Sequence, residues 1–105
     1  MDAMELINKL PAAFNPDAAQ GTECVLQFNT SKPSYATIKD GACTVAEGTA
    51  ASPDVTLTIA DEDLVALMTG ELNGMTAFMT GKLQLDGDLM LAQRISSLFD
   101  PARLG

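Results

Sequence analysis

The sequence predicts an α+β fold in which helices cover one face of a five-stranded, mostly antiparallel sheet. Two observations lead to this fold class. Three short alternating segments separated by turn residues are typical of a three-strand meander. A fourth alternating segment is followed by two helical segments and a fifth strand, a β–α–α–β crossover. With 105 residues, the chain has the length of a single domain over residues 1–105.

The N-terminal segment is predicted to form an amphipathic helix. Apolar side chains recur at helical spacing in Leu6, Ile7, Leu10 and Phe14. The sequence Asn-Pro-Asp at 15–17 then ends the pattern, because proline and its flanking residues disfavour a continued helix.

Three strands are predicted next, and the first lies within GTECVLQFNT at 21–30. Its alternation divides the side chains into two sets, with Cys24, Leu26 and Phe28 facing inward and Glu23, Val25 and Gln27 facing outward. The second strand, YATIKD at 35–40, ends at Asp40-Gly41, which is a strong hairpin signal. The third strand, ACTVAEG at 42–48, completes an antiparallel meander.

The clearest strand of the sequence is DVTLTIA at 54–60. Apolar residues alternate here with threonines, namely Val55, Leu57 and Ile59 with Thr56 and Thr58. Asp61 is expected to be the N-cap of the helix that follows, and Gly70 suits the position just beyond its end.

The last three elements are a short helix, a short strand and a final helix. The short helix is predicted around 75–80 and ends at Gly81, and the strand is KLQLDG at 82–87. Asp88 is expected to cap a final helix that continues to about Phe99. Because a helical crossover usually joins parallel strands, strands four and five are predicted to be parallel, with a right-handed connection.

The composition excludes several functional classes. With 14 acidic and 6 basic residues the net charge is −8, which argues against nucleic acid as a partner and against docking on an anionic membrane. At most a transient membrane contact is expected. The chain has no histidine, which excludes histidine-based triads and imidazole metal sites. No metal or cofactor is expected, and Cys24 and Cys43 are expected to be buried, reduced thiols.

The segment MTAFMTGKLQLDGDLMLAQRISSLF at 75–99 resembles the signature of the sterol carrier protein 2 family, the sterol-transfer or non-specific lipid-transfer domain. The positions that carry the resemblance are Ala77, Phe78, Gly81, Lys82, Leu83, Leu85, Gly87, Asp88 and Ala92. Upstream, DVTLTIADEDLVALMTGELN is similar to the strand with which the family enters a helix through an acidic corner. The resemblance is strong over 54–99 and is carried mainly by element order over 1–53.

The resemblance implies a non-catalytic intracellular carrier that binds fatty acid, fatty acyl-CoA or sterol in an apolar tunnel. Four of the six methionines fall within residues 68–90, and their flexible side chains suit an irregular apolar wall. The residues expected to line the tunnel are Phe28, Leu57, Leu64, Met68, Met75, Phe78, Met79, Leu83, Ile95, Leu98 and Phe99. A compact acidic member of the family is expected to carry acyl chains in preference to sterol.

The alternative function is an interaction or dimerisation module, or one that presents substrate to a lipid-metabolising enzyme, and a homodimer would form through the sheet edge or the terminal helix. Catalysis is disfavoured, because Asp61, Glu62 and Asp63 are better explained as a helix start than as a metal or acid–base site. A cytoplasmic location is expected. The alternative is peroxisomal, if the Ala-Arg-Leu at 102–104 is terminal and Gly105 is not native. The last helix is expected to act as the lid.

Overall fold

The computed structural model describes residues 3–17 and 21–100, except for the side chains of Gln93 and residues 95–97. The predicted order of helices and strands is confirmed. The elements are α1 (Ala3–Ala13), β1 (Cys24–Asn29), β2 (Ser34–Lys39), β3 (Ala42–Glu47), β4 (Val55–Ile59), α2 (Asp61–Met68), α3 (Gly74–Met79), β5 (Leu83–Gly87) and α4 (Leu89–Leu98).

The five strands form one mixed sheet in the order β3-β2-β1-β4-β5. The meander β1–β2–β3 is antiparallel, as predicted. The predicted parallel pairing of β4 and β5 is wrong, because Ile59 pairs with Leu83 and Val55 with Gly87 in an antiparallel ladder. The two helices between these strands return the chain to the end of the sheet that it left. The parallel pair is β1 with β4.

One face of the sheet carries the core. The register aligns apolar side chains across the strands, so that Leu26 lies between Ala36 on β2 and Val55 on β4. Helix α1 packs its apolar stripe into the same core, where Leu6 and Ile7 are completely buried. Residues three or four apart share one side of a helix, which explains why the spacing in the sequence predicted this face.

The other face of the sheet is partly covered by the loop between β3 and β4. Gln27 was predicted to face solvent, yet only 1% of its surface is exposed. Its Nε2 donates to the carbonyl oxygens of Ser34 at 3.2 Å and Gly48 at 3.1 Å, and its Oε1 accepts from the amide of Ala50 at 2.8 Å. The amide is therefore satisfied without water, and it fixes the loop against the sheet.

The start of α2 differs from its prediction. Ala60 occupies the N-cap position and provides no side-chain hydrogen bond. Asp61 is the first helical residue, and its carboxylate accepts from the backbone amide of Ser31 at 2.8 Å and from the Ser31 hydroxyl. These hydrogen bonds hold the pKa of Asp61 below its usual value. Asp61 thus joins the β1–β2 turn to α2 rather than capping the helix.

The end of α4 is attached to the end of α1. The rings of Phe14 and Phe99 lie 5.9 Å apart at 56°, and the amide of Asn15 donates to the carbonyl oxygen of Leu98 at 2.7 Å. The amide of Asp100 donates to the carbonyl oxygen of Ala13 at 2.9 Å. An opening of α4 at this end would have to break these contacts. None of the described helices has the length and hydrophobicity that a membrane crossing requires.

Candidate functional site: an apolar cleft

A cavity of about 430 Å³ lies between the edge of the sheet and the three helices that follow β4. Strands β4 and β5 form its floor, and α2, α3 and α4 form its walls. The lining residues are Leu57, Leu67, Met68, Gly74, Met75, Phe78, Leu83, Leu85, Leu89 and Ala92. All ten are apolar residues or glycine, and the volume falls in the range of about 300–1,000 Å³ that is common for ligand sites.

The floor of this cleft follows from strand alternation. Leu57 on β4 is the cross-strand partner of Leu85 on β5, and Leu83 pairs with Ile59 two residues away. Side chains at alternate positions share one face of a sheet, so these leucines all face the helices. β5 lies at the edge of the sheet, and the cleft is therefore at one end of the core and not at its centre.

The helical walls begin at two side-chain caps. Asn73 precedes α3 and accepts from the amides of Met75 at 2.8 Å and Thr76 at 3.3 Å. Asp88 precedes α4 and accepts from the amides of Met90 at 3.0 Å and Leu91 at 3.1 Å. The Asp88 cap was predicted, whereas the Asn73 cap was not. Both caps fix the direction in which a lining helix leaves its loop.

The cleft opens to solvent through three large apolar side chains, which we call the mouth. Met75 is 66% exposed, Phe78 48% and Leu89 51%. Met79 and Met90, which follow mouth residues along the chain, are each 78% exposed. An exposed apolar cluster of this kind is unfavourable in water and marks a ligand or partner site in many soluble proteins.

The structure gathers five of the eleven predicted lining residues around the cleft: Leu57, Met68, Met75, Phe78 and Leu83. It places Phe28, Leu64 and Leu98 fully buried elsewhere in the core, and it places Phe99 against Phe14. Met79 points to solvent, and the side chain of Ile95 lies outside the described residues. Their role in lipid binding stays a prediction.

Five further residues line the cleft that were not among the eleven expected lining residues: Leu67, Gly74, Leu85, Leu89 and Ala92. Leu85 and Ala92 are nevertheless two of the positions that carry the resemblance to the family, and strand alternation puts Leu85 on the same face as Leu83. Gly74 contributes space, because a Cβ there would lie 3.4 Å from the Cδ1 of Leu67. No comparable signal identifies Leu67 and Leu89, whose positions depend on how each helix is rotated against the sheet.

The remaining reactive groups lie away from the cleft lining. Cys24 and Cys43 are free and buried, as predicted. Cys24 on β1 and Cys43 on β3 pair with Ile38 on β2 from opposite sides, so the two cysteines are two strand spacings of about 4.8 Å apart. This distance is too long for a disulfide unless the backbone moves. Burial raises the pKa of both thiols, that of Cys43 to about 11. Over the described ranges 3–17 and 21–100, no group of three acidic or cysteine side chains is arranged to hold a metal ion.

The family assignment rests on comparison as well as geometry. The sequence profile of the SCP-2 sterol transfer family matches residues 5–100, nearly the whole chain. The chain belongs to this family. A palmitated SCP2L2 from Aedes aegypti, solved by NMR, has the same fold with a TM-score of 0.75 and 28% identity, covering 92% of this chain and 93% of that one.

Two of the relatives in the family are much longer proteins. Peroxisomal multifunctional enzyme A of Dictyostelium discoideum is 38% identical over 68 residues, 64% of this chain and 15% of that enzyme. Sterol carrier protein 2 of Bos taurus is 43% identical over 61 residues, 58% of this chain and 11% of that protein. The chain therefore spans only a small part of the length of these relatives.

Proposed function

We propose that this chain is a non-catalytic lipid carrier that holds a fatty acid, a fatty acyl-CoA ester or a sterol in the apolar cleft. One observation carries the proposal: the cleft is lined without a single charged side chain and still opens to solvent, through Met75, Phe78 and Leu89. An apolar chain can thus enter a space that ordinary core packing would have filled. The palmitated relative supports this function for a homologous fold.

The gain from burying an acyl chain is sufficient for binding. Each CH₂ removed from water contributes about 0.8 kcal/mol, so a palmitate-length chain gains on the order of 10 kcal/mol before the costs of association and ordering. Because this gain depends on area and not on direction, chains of different length and saturation should compete for the same cleft.

The cleft itself offers no catalytic group. Its lining contains no nucleophile, acid or base, so a bound lipid would meet only methyl, methylene and aromatic surfaces. Ester or thioester cleavage requires an activated nucleophile and a stabilised oxyanion, which such surfaces do not supply. This chemistry supports carriage of the lipid in preference to its conversion.

The test is to fill the cleft from inside. Ala92 lies half-buried in the cleft lining, so Ala92→Phe should occupy part of the volume and weaken palmitate binding at least tenfold. Ala46 is exposed on β3, and Ala46→Phe is the matched control that should bind as the parent protein does. Native mass spectrometry with added palmitate, palmitoyl-CoA and cholesterol measures the effect. If the parent protein binds none of the three ligands, the proposal is contradicted.

A second candidate function is an interaction or substrate-presenting module, in which the chain dimerises or docks on a lipid-metabolising enzyme. Met79 and Met90 favour it, because both are highly exposed and neither lines the cleft. The match to a small part of a peroxisomal multifunctional enzyme supports the same idea. Light scattering of the purified chain tests the dimer, and Met79→Glu with Met90→Glu should convert a dimer to a monomer. A cytoplasmic location stays a prediction.

A further inference from the structure

Four methionines belong to the segment that builds the cleft, and they differ in exposure and in position. Met75 lines the cleft and is 66% exposed, whereas Met68 lines it and is only 7% exposed. Met79 and Met90 are each 78% exposed and are not among the lining residues. Among these four, Met75 is therefore the methionine that lines the cleft and is also accessible to a small molecule in solvent.

An exposed thioether is readily oxidised by a peroxide. Hydrogen peroxide transfers one oxygen atom to the sulfur: an S–O bond forms, the O–O bond of the peroxide breaks, and the second oxygen leaves as water with both protons. The sulfur loses two electrons and the peroxide gains them. The product, methionine sulfoxide, is polar, and reductases return it to methionine.

The two thiols of the chain compete poorly for the same oxidant. A peroxide reacts with the thiolate form of cysteine and requires access to the sulfur. Cys24 and Cys43 are both buried, and burial raises the pKa of both thiols, that of Cys43 to about 11, so little thiolate is present near neutral pH. Peroxide should therefore act first on the exposed methionines.

We infer that Met75 is an oxidation site that controls lipid binding, because its thioether is compatible with a bound alkyl chain and its sulfoxide is not. The inference rests on the proposed lipid carriage. All ten lining residues are apolar or glycine, so no side chain of the lining can donate a hydrogen bond to the sulfoxide oxygen. A bound alkyl chain would remove that oxygen from water without a new partner, and burial of an unpaired polar group weakens binding. Sulfoxides at Met79 and Met90 lie outside the lining and stay hydrated.

A bound lipid should in turn protect Met75 from the oxidant. A ligand that packs against the lining covers Met75, whereas Met79 and Met90 lie outside the lining and stay exposed. Because oxidation of methionine follows access to the sulfur, palmitate should slow the oxidation of Met75 about threefold or more and leave that of Met79 and Met90 unchanged. The cleft is thus oxidised when it is empty and protected when it is occupied.

The test compares the parent chain, Met75→Leu and the control Met79→Leu. Leucine is apolar, has a similar volume and has no sulfur to oxidise. Each protein is treated with hydrogen peroxide until Met90, which all three retain, is oxidised; the peroxide is then removed, and peptide mass spectrometry identifies the sulfoxides. Displacement of Nile red, an uncharged fluorescent probe, measures the Kd of palmitate and of dodecanol, which are saturated and differ in charge.

The quantity compared is the Kd after oxidation divided by the Kd before it, so a direct effect of leucine on binding cancels. In the parent and in Met79→Leu, oxidation should raise the Kd of both ligands about tenfold. In Met75→Leu, the Kd should stay within about twofold of its value before oxidation. Treatment with methionine sulfoxide reductases A and B together should restore binding by the parent, since each enzyme reduces one sulfoxide epimer.

The outcomes separate this inference from lipid carriage itself. An equal rise in Kd for Met75→Leu and Met79→Leu would assign the effect to another residue and overturn the inference. An unchanged Kd with Met75 fully oxidised would also overturn it, as would a Met75 that stays reduced while Met90 is oxidised. In each of these cases the untreated parent binds lipid and the carrier function stands. If the untreated parent binds neither ligand, lipid carriage fails and the inference fails with it.

Discussion

Gly87 occupies a backbone position that other residues cannot adopt without displacement of a neighbouring strand. Its φ is +101°, and a Cβ built there would overlap the carbonyl oxygen of Asp54. The same carbonyl accepts the amide of Asp88 at 2.9 Å, so the start of β4 lies directly against the turn into α4. The Gly-Asp pair of the family signature thus has a physical cause in this close approach.

Gly87→Ala should therefore destabilise the fold strongly. The new Cβ would clash with backbone atoms of Asp54 and Val55, so β4 would have to move to make room for it. We therefore expect a loss of at least about 3 kcal/mol in the free energy of unfolding. Gly81→Ala is the control, since φ is +79° there but no atom lies within 4 Å of the new Cβ. It should cost about 1 kcal/mol. Urea denaturation measures both, and equal losses would show that φ alone matters.

Asp61 gives the fold a defined dependence on pH. Its hydrogen bonds to Ser31 lower its pKa in the folded state relative to about 3.9 in the unfolded chain. The folded state therefore binds its proton less readily, so the carboxylate stabilises the fold at neutral pH, and this contribution is lost as the pH falls through the folded-state pKa.

Replacement of this carboxylate should make the free energy of unfolding less dependent on pH at acidic pH. Asp61→Asn is expected to cost about 1 kcal/mol or less near pH 7 and to approach the parent stability as the pH falls through the folded-state pKa of Asp61. Chemical denaturation at several pH values measures this, with Glu62→Gln at the neighbouring exposed position as the control. A constant difference at every pH would refute the assigned cause.

At the scale of elements, local patterns predicted which segments form helices and strands, and non-local contacts decided how they meet. The antiparallel direction of β5 depends on where two short helices return the chain, which no alternation pattern encodes. The burial of Gln27 depends on a loop more than twenty residues away. The cleft shows the same division, because alternation predicted Leu57 and Leu83, while helix rotation decided that Met75 lines it and Met79 does not.

Helix α3 should depend on its cap, because it has only six residues. Short helices in water gain little from their own hydrogen bonds, so the two bonds to Asn73 hold the turn that carries Met75 and Phe78. Asn73→Ala should cost about 1 kcal/mol of stability and weaken ligand binding. Asn73→Asp keeps an acceptor oxygen and serves as the control. Calorimetric unfolding measures the stability, and displacement of Nile red measures ligand binding. Unchanged binding in Asn73→Ala would show that the cleft binds ligand without an ordered α3.

At the scale of the whole molecule, the arrangement of layers explains why a small chain keeps a cavity. At the β3 side of the sheet, α1 packs against β3 and α2 and fills the core with Leu6 and Ile7. The cleft lies over the β4–β5 edge, where the lining includes glycine and alanine, which fill little volume. Stability and binding thus depend on different parts of one sheet, so the cleft can be changed while the core is kept.

Ligand binding should consequently raise the melting temperature in proportion to occupancy of the cleft. A ligand that binds only the folded state contributes about 2.7 kcal/mol at a hundredfold excess over its Kd. For a chain of about 100 residues this corresponds to an increase of about 10 °C or more. Scanning calorimetry with dodecanol should show this increase for the parent and for Ala46→Phe, and little increase for Ala92→Phe. An equal increase in Ala92→Phe would place the ligand outside the cleft, on the exposed methionines, and would favour the interaction module over the carrier.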